Sequence, residues 1–228
     1  MAEPRVLVLA SGEKEPGKGG SGYLELEEQS RTIPGILNAK LVAVVSNHEN
    51  GGVRTKNKLF DTPFEFFSKP YTAEKYRFFV EKYRADYVMC SGWLPWIRGL
   101  DIRKTINIHP GKIPEFGGTW GHHVHEKALK WFEEGKGNIT GVTMHFVDEV
   151  NWDHGPQFFF FPVKMRPGED ANKIGSRVNE KERAWQSYIL NLVVHDHIRL
   201  IRGQLDKWQV VAVQKYTGII PGFTGIYI

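Results

Sequence analysis

Residues 87–109, YVMCSGWLPWIRGLDIRKTINIH, contain two short apolar runs, Tyr87–Ser91 and Thr105–His109. Short apolar runs that are bounded by turn residues predict buried strands. Similar runs at residues 6–10 and 41–46 predict two more strands. Because strands that are apolar throughout are typical of parallel sheets covered on both faces, we predict an α/β fold.

The rest of the chain supplies the elements that connect and extend this sheet. Helices are predicted at residues 23–31, 72–84, 122–134 and 171–201, and further strands at 63–67, 139–148, 157–165 and 208–213. Thr72 and Asp170 are the expected N-caps of two of the helices. We see no linker or repeat, so we predict one catalytic domain over residues 1–207 and a C-terminal strand with an apolar tail over 208–228.

Composition narrows the class of protein. The 228 residues carry a formal net charge of +4 and a single cysteine, Cys90, which excludes an internal disulfide and a multi-cysteine metal site. No apolar run approaches the length of a membrane span. These features indicate a reduced, cytoplasmic compartment. The small positive charge fits an anionic small substrate or a weak contact with nucleic acid.

The strongest candidate for chemistry is the end of the strand at Thr105–His109. Side chains alternate along a strand, so Asn107 and His109 point to the same face, and Pro110 ends the ladder. An amide and an imidazole side by side can donate hydrogen bonds to one developing oxyanion, as acyl transfer requires. A polar strand end with a satisfied histidine is the alternative interpretation.

An acidic cluster runs from Asp148 to Asp153, between two predicted strands. A loop at this place could bring Asp153 to His109, where a carboxylate favours the imidazolium and orients the ring. We therefore hypothesise a protonated His109 held by Asp153. A solvated hairpin loop is the alternative, because Asp, Asn and Gly are ordinary turn residues.

The loop after the first strand is rich in glycine. Its segment from Gly12 to Lys18 matches G-x-x-x-x-G-K, but Gly19 stands where a triphosphate-binding loop needs Ser or Thr. Gly20-Ser21-Gly22, just before a helix, nevertheless suits a phosphate group, because backbone N–H groups and the helix dipole meet there. A flexible surface loop explains the same residues. We also expect Lys14 and Lys18 to place positive charge at the rim of the site.

Several histidines and tryptophans allow more than one interpretation. His122 and His125 share a helix face, yet the H-E-x-x-H pattern of a zinc site is absent, and no metal is expected. His195 and His197 are expected to be structural residues of the long C-terminal helix. Core packing or a flat heteroaromatic ligand would each explain the three tryptophans near the site, which are Trp93, Trp96 and Trp120.

Four blocks of the sequence, in order, resemble the folate-dependent formyltransferases: INIHPGKIPEFGG, GHHVHEKAL, GVTMHFVDEVNWDHGP and SRVNEKE. The resemblance extends from about Arg5 to Lys207. It implies a doubly wound, mostly parallel, Rossmann-like sheet with helices on both faces. It also implies an enzyme of purine biosynthesis that moves a formyl group from 10-formyltetrahydrofolate to the amine of glycinamide ribonucleotide, without a metal.

The resemblance assigns roles to individual residues. The family's catalytic Asn, His and Asp correspond to Asn107, His109 and Asp153. The implied ribonucleotide-binding residues are Gly20, Ser21, Gly22, Gly92, Leu94, Ile108, Pro110 and Glu182, with Glu182 holding the ribose. The implied folate-binding residues are Trp96, Ile97, Asp148, Glu149 and Val150.

The chain also departs from the family's pattern at several positions. The first loop is longer than usual and ends in Gly22, where Asn is common. Pro95 replaces an Arg beside the pterin, Gly111 replaces a Ser, and His154 replaces a small residue. The departures bear on how phosphate and pterin are bound, whereas the three catalytic positions match.

Other functions remain compatible with these residues. Sugar-nucleotide N-formyltransferases and 10-formyltetrahydrofolate hydrolases share the Asn-His-Asp core and differ in the acceptor. A nucleotide-binding module without catalysis could use the same sheet. The expected partners are small molecules, with neither nucleic acid nor membrane, and the protein is expected to be a monomer or a homodimer.

Overall fold

The computed structural model describes residues 2–32, 35–150 and 153–228. Its main sheet contains seven strands in the order β3-β2-β1-β4-β5-β6-β7. The strands are β1 (Arg5–Leu9), β2 (Lys40–Ser46), β3 (Phe64–Phe66), β4 (Tyr87–Ser91), β5 (Thr105–His109), β6 (Ile139–Phe146) and β7 (Gln157–Lys164). The first five are parallel, and β6 and β7 are antiparallel to their neighbours. The predicted mostly parallel sheet is therefore confirmed.

Helices cover both faces of this sheet. They are α1 (Ser21–Arg31), α2 (Gly52–Asn57), α3 (Ala73–Tyr83), α4 (His122–Glu133), α5 (Ala171–Val194) and α6 (Gln214–Thr217). Along β1, Val8 belongs to a core cluster with residues of α1, α4 and α5, whereas Leu7 belongs to a second cluster with residues of α3. Alternate side chains of one strand thus enter two cores, which explains why the strand is apolar throughout.

The order of the strands predicts which edge of the sheet binds ligands. From β1 the chain builds outwards through β2 to β3, and then returns to add β4 and β5 on the other side of β1. Ligands of such sheets bind beyond the carboxyl ends of the strands, at the point where the order reverses. Here that point lies beyond Leu9 and Ser91, next to the end of β5 at His109.

Two predicted helix starts are confirmed. The Thr72 hydroxyl accepts a hydrogen bond from the backbone N–H of Lys75, and the Asp170 carboxylate accepts one from the backbone N–H of Lys173 at 2.8 Å. Each bond satisfies an N–H group that has no partner within its helix. The predicted strands at the centre of the sheet, Tyr87–Ser91 and Thr105–His109, have their predicted bounds.

The predicted helix over residues 171–201 is wrong at its end. It stops at Val194, Asp196 has a left-handed φ of 57°, and Ile198–Arg202 forms a strand, β8. Within β8 the buried Ile198 and Leu200 alternate with the exposed Arg199 and Ile201, the two-residue period of a strand. His195 and His197 therefore lie at and beyond the end of the helix, not within it.

The C-terminal residues form a second, smaller sheet. β8 pairs with β9 (Trp208–Ala212), and β9 pairs with β10 (Ile226–Tyr227). The strands of this sheet come from both sides of residue 207. The proposed boundary between a catalytic domain and a C-terminal segment at this residue stays a prediction. Among the described residues, no helix is both long enough and apolar enough to cross a membrane.

Candidate active site

The end of β5 brings together the three side chains expected to carry the chemistry. Asp153 Oδ2 lies 3.4 Å from His109 Nδ1, and the Asn107 amide donates a hydrogen bond to Asp153 Oδ1 at 3.3 Å. His109 is 3% exposed and Asp153 is 7% exposed. The loop between β6 and β7 thus returns Asp153 to the strand end, as hypothesised. The backbone N–H of Gly118 also donates to Asp153 Oδ2, at 3.2 Å.

A second histidine, which had no assigned role, completes this cluster. His145 on β6 is the direct cross-strand partner of Asn107. Its Nδ1 lies 3.0 Å from the carbonyl oxygen of Phe146, and its Nε2 lies 3.1 Å from Asn107 Nδ2. A proton on Nδ1 therefore leaves Nε2 free to accept from the Asn107 amide. Both hydrogens of that amide are thus engaged, one by His145 and the other by Asp153.

The electrostatics of His109 differ from the hypothesis. Burial lowers the pKa of His109 to about 4, although the charge of Asp153 opposes the shift. The ring is therefore neutral near pH 7, so the hypothesised imidazolium is not the resting form. The pKa of Asp153 lies below its ordinary value, because contacts with His145 and His109 outweigh the effect of burial. A neutral base beside a buried carboxylate can accept a proton when positive charge develops next to it.

A cavity of about 590 Å³ opens beside the cluster. All eight residues expected to bind the ribonucleotide line it, from the loop before α1, from the ends of β4 and β5, and from α5. Such a volume falls within the range typical of small-molecule sites. Among the described lining residues there is neither Lys nor Arg. Lys18 instead pairs with Glu15 at 2.7 Å on the surface, so the expected positive rim is not found there.

The structure gives a physical reason for Gly22. A Cβ built at this position would lie 2.3 Å from Ser91 Oγ, which is too close for any side chain. Ser91 donates to Gln186 Oε1 at 2.7 Å, and Gln186 Nε2 donates to the Gly22 carbonyl at 2.9 Å. Gly20, with a φ of 74°, precedes α1, and no side chain caps this helix. The glycine cradle, residues 20–22, thus presents a helix start with free N–H groups to the cavity.

Glu182 lies on the α5 wall of the same cavity. Burial raises its pKa to about 7, and a hydrogen bond from Asn179 at 3.4 Å only partly offsets this. Asn179 also reaches Ser21 Oγ at 3.4 Å. A carboxylate with so few protein donors is available to accept hydrogen bonds from ligand hydroxyl groups.

A smaller depression of about 50 Å³ lies on the other side of the cluster. Three of the five residues predicted to bind folate, Trp96, Ile97 and Asp148, line it, and Asn107 and Asp153 belong to the linings of both spaces. Glu149 and Val150 do not line it. The Glu149 carbonyl accepts a hydrogen bond from Trp96 Nε1 at 3.0 Å, and its carboxylate accepts one from the Gly99 N–H, so Glu149 holds the loop after β4.

Some of the residues expected at the site lie elsewhere. Val150 is 74% exposed, and Asn151 and Trp152 of the acidic cluster lie outside the described residues. Trp93 is buried against the α3 core and lines both the cavity and the depression, and Trp120 is 53% exposed at the wall of the larger cavity. Within the described ranges, no group of three or more His, Cys, Asp or Glu side chains is arranged to hold a metal ion.

Comparison with known proteins gives three concordant findings. The family model described as "Formyl transferase" matches residues 5–190. The trifunctional purine biosynthetic protein adenosine-3 of Homo sapiens is 28% identical over 72% of this chain and 16% of its own length. The chloroplastic phosphoribosylglycinamide formyltransferase of Vigna unguiculata is 25% identical over 79% of this chain and 59% of its own length. The chain thus spans less than two thirds of these curated relatives.

A solved structure shares the fold. The phosphoribosylglycinamide formyltransferase of Anaplasma phagocytophilum superposes with a TM-score of 0.74 and 24% identity, over 91% of this chain and 94% of that one. The match supports the doubly wound architecture described above.

Proposed function

The chain belongs to the formyl transferase family, and we propose that it transfers the formyl group of 10-formyltetrahydrofolate to the primary amine of glycinamide ribonucleotide. The single observation that carries this proposal is the position of the Asn107–His109–Asp153 cluster between two ligand spaces that share its side chains. A transfer between two substrates needs both of them to reach one set of catalytic groups.

His109 and Asp153 carry out the proton transfer in this proposal. The attacking amine gains positive charge as it bonds to the formyl carbon, and neutral His109 accepts the proton that it must lose. Asp153, 3.4 Å from His109 Nδ1, stabilises the imidazolium that forms and keeps the ring oriented. The proton then passes to the leaving nitrogen of the folate.

Asn107 stabilises the oxygen of the transferred group. Its amide group donates to Asp153 at 3.3 Å and to His145 at 3.1 Å. When the oxyanion develops, the longer bond, to Asp153, is replaced by a bond to the oxyanion. The bond to His145 persists and keeps the amide facing the site. One such donor contributes on the order of 10²–10³ in rate in acyl transfer.

The two spaces differ in how well they fit their proposed ligands. The larger cavity offers the glycine cradle to a phosphate and Glu182 to ribose hydroxyl groups. The depression of about 50 Å³ is well below the range of roughly 300–1,000 Å³ that is typical of ligand sites. For the pterin ring to bind, the residues at the rim of the depression, which include Trp96 and Asp148, must therefore move apart.

The experiment is a formyl-transfer assay of the wild-type chain with 10-formyltetrahydrofolate and glycinamide ribonucleotide. We expect transfer that depends on both substrates and collapses in His109→Ala. Transfer only to amino-sugar nucleotides would replace the proposed acceptor, and release of formate without any acceptor would indicate a hydrolase. If none of these three activities is detected, the protein is a nucleotide-binding module without catalysis. A cytoplasmic location and a monomeric or dimeric state are further proposals.

A further inference from the structure

His125 is a buried polar side chain that the proposed mechanism does not use. It lies in the first turn of α4, is 9% exposed and lines the larger cavity. Within residues 2–32, 35–150 and 153–228 its Nδ1 is completely buried and has no hydrogen-bond partner, so Nε2 is the ring nitrogen that a ligand in the cavity can reach. An Nδ1 atom without an acceptor is best left unprotonated, which places the ring proton on Nε2, where it can be donated to a ligand.

The start of α4 adds free donors at the same place. Gly121, with a φ of 57°, precedes the helix, and no side chain caps it. Its first N–H groups lack partners within the helix, and the helix dipole makes this end partly positive. Gly121, His122 and His125 all line the cavity. A ligand oxygen would therefore meet backbone N–H groups and an imidazole together.

This helix start lies close to the catalytic imidazole. A Cβ built at Gly111 would lie 2.8 Å from Val124 Cγ1 and 3.0 Å from His109 Nε2, so α4 and His109 flank the same point of the backbone. The His109 ring also contributes to lowering the pKa of His125, after burial and His122. The glycine cradle contacts a different part of α5: Gln186 bonds to Gly22, whereas Gly175 lies against the His125 ring. These two positions on α5 are separated by about 16 Å at 1.5 Å per residue.

We propose that His125 and the start of α4 form a subsite for the acceptor oxygen that lies next to the reactive amine. The proposal rests on the proposed function, in which the cradle takes the phosphate and His109 takes the amine proton. In glycinamide that oxygen is the amide carbonyl. The subsite orients the amine by holding its neighbouring oxygen, and it favours amines that carry a carbonyl or a hydroxyl group beside them.

The chain offers a set of variants that separates binding from structure. His125→Ala removes the imidazole. Gly175→Ala keeps it but adds a Cβ that would lie 2.7 Å from His125 Cδ2, so the ring must shift. Alanine is also a better helix former than glycine, so a loss of binding in Gly175→Ala is not attributable to weaker helix propensity. His123→Ala is the matched control, because exposed His123 lies on the same turn and pairs with Glu126 at 2.7 Å instead.

The test measures the dissociation constant of glycinamide ribonucleotide by calorimetry without the folate, together with KM and kcat. We expect His125→Ala and Gly175→Ala to weaken acceptor binding by roughly 5–10-fold, as for the loss of one hydrogen bond, with an unchanged KM for the folate. His123→Ala should equal wild type. Unchanged acceptor binding in both His125→Ala and Gly175→Ala would overturn the subsite, even if transfer in the wild type supports the proposed function.

A second readout keeps the two proposals distinguishable. Glycinamide alone, titrated to high concentration, should shift the ring resonances of His125 in the wild type and leave those of His123 unchanged. If wild type binds glycinamide at His125 but transfers no formyl group, the subsite stands and the proposed reaction fails. If the His125 resonances respond to neither glycinamide nor its ribonucleotide, the subsite is overturned.

Discussion

The two ligand spaces that meet at Asn107 and Asp153 are built in different ways. The larger, of about 590 Å³, is lined by backbone from glycine-rich segments, by two uncapped helix starts, by carboxylates and by imidazoles. The smaller, of about 50 Å³, is lined by two tryptophans and by aliphatic groups, and also by His145 and by two carboxylates, Asp148 and the shared Asp153. The first can select a ligand by hydrogen bonds and the second by shape, so substitutions should affect the two substrates separately, except at the wall they share.

Asp153→Asn, in the shared wall, should have the largest effect. The change removes the negative charge that stabilises protonated His109. It also replaces one carboxylate oxygen with an NH₂ group, which cannot accept the hydrogen bond that Asn107 or Gly118 donates to that oxygen. We expect kcat to fall by about 10²–10⁴, the usual contribution of a positioned acid–base system. The KM values for both substrates should stay within a few-fold, as measured by steady-state kinetics.

The exposed Asp206→Asn is the matched control, since its carboxylate pairs with Arg202 at the surface, 3.5 Å away. If the kcat of Asp153→Asn lies within threefold of the wild-type value, Asp153 does not take part in the chemical step.

Gly22→Ala should come next and should affect only the larger space. Its Cβ would lie 2.3 Å from Ser91 Oγ, so the glycine cradle must shift away from Gln186. Overpacking of this kind costs about 1–3 kcal/mol. We expect the acceptor KM to rise about 10–100-fold, with an unchanged KM for the folate.

The double variant Gly22→Ala/Ser91→Ala tests the cause, because it removes the obstructing hydroxyl. Recovery of most of the acceptor affinity is expected. If the double variant binds as weakly as the single one, the clash with Ser91 is not what makes glycine necessary here.

Glu182→Gln probes the ionisable groups of the larger space. Burial holds the pKa of Glu182 at about 7 against an ordinary value of 4.5. Between these values the folded protein keeps a proton that the unfolded chain has released, so this residue's contribution to stability falls as pH rises from about 4.5 to about 7. In Glu182→Gln the free energy of unfolding should exceed that of wild type by roughly 1–3 kcal/mol at pH 8 and equal it below pH 4.

The same variant should weaken acceptor binding at pH 8, because glutamine keeps one acceptor oxygen but loses the charge that strengthens bonds from hydroxyl groups. We expect an acceptor KM about tenfold higher, measured alongside denaturant unfolding at both pH values. A variant that is less stable than wild type at pH 8 would show that the carboxylate has partners other than Asn179.

How far the sequence predicts this site depends on how local the signal is. Asn107 and His109 could be predicted, because strand alternation and Pro110 are local features, and the chain order of apolar runs indicated the parallel sheet. His145 could not, because its contact with Asn107 depends on the antiparallel register of β6 against β5. The run at Ile198–Arg202 has apolar residues that fit both a helix and a strand, and pairing with β9 decides between them.

Trp96→Phe should have the smallest effect and should affect only the smaller space. The substitution keeps an aromatic ring but removes the hydrogen bond from Nε1 to the Glu149 carbonyl, 3.0 Å long, which ties the loop after β4 to the acidic loop. One such bond contributes about 0.5–1.5 kcal/mol, so we expect the folate KM to rise about 2–10-fold and the acceptor KM to stay unchanged. Trp120→Phe, on the wall of the larger cavity, is the counterpart and should leave the folate KM at the wild-type value. If Trp96→Phe instead raised the acceptor KM, the two spaces would not be separate recognition sites.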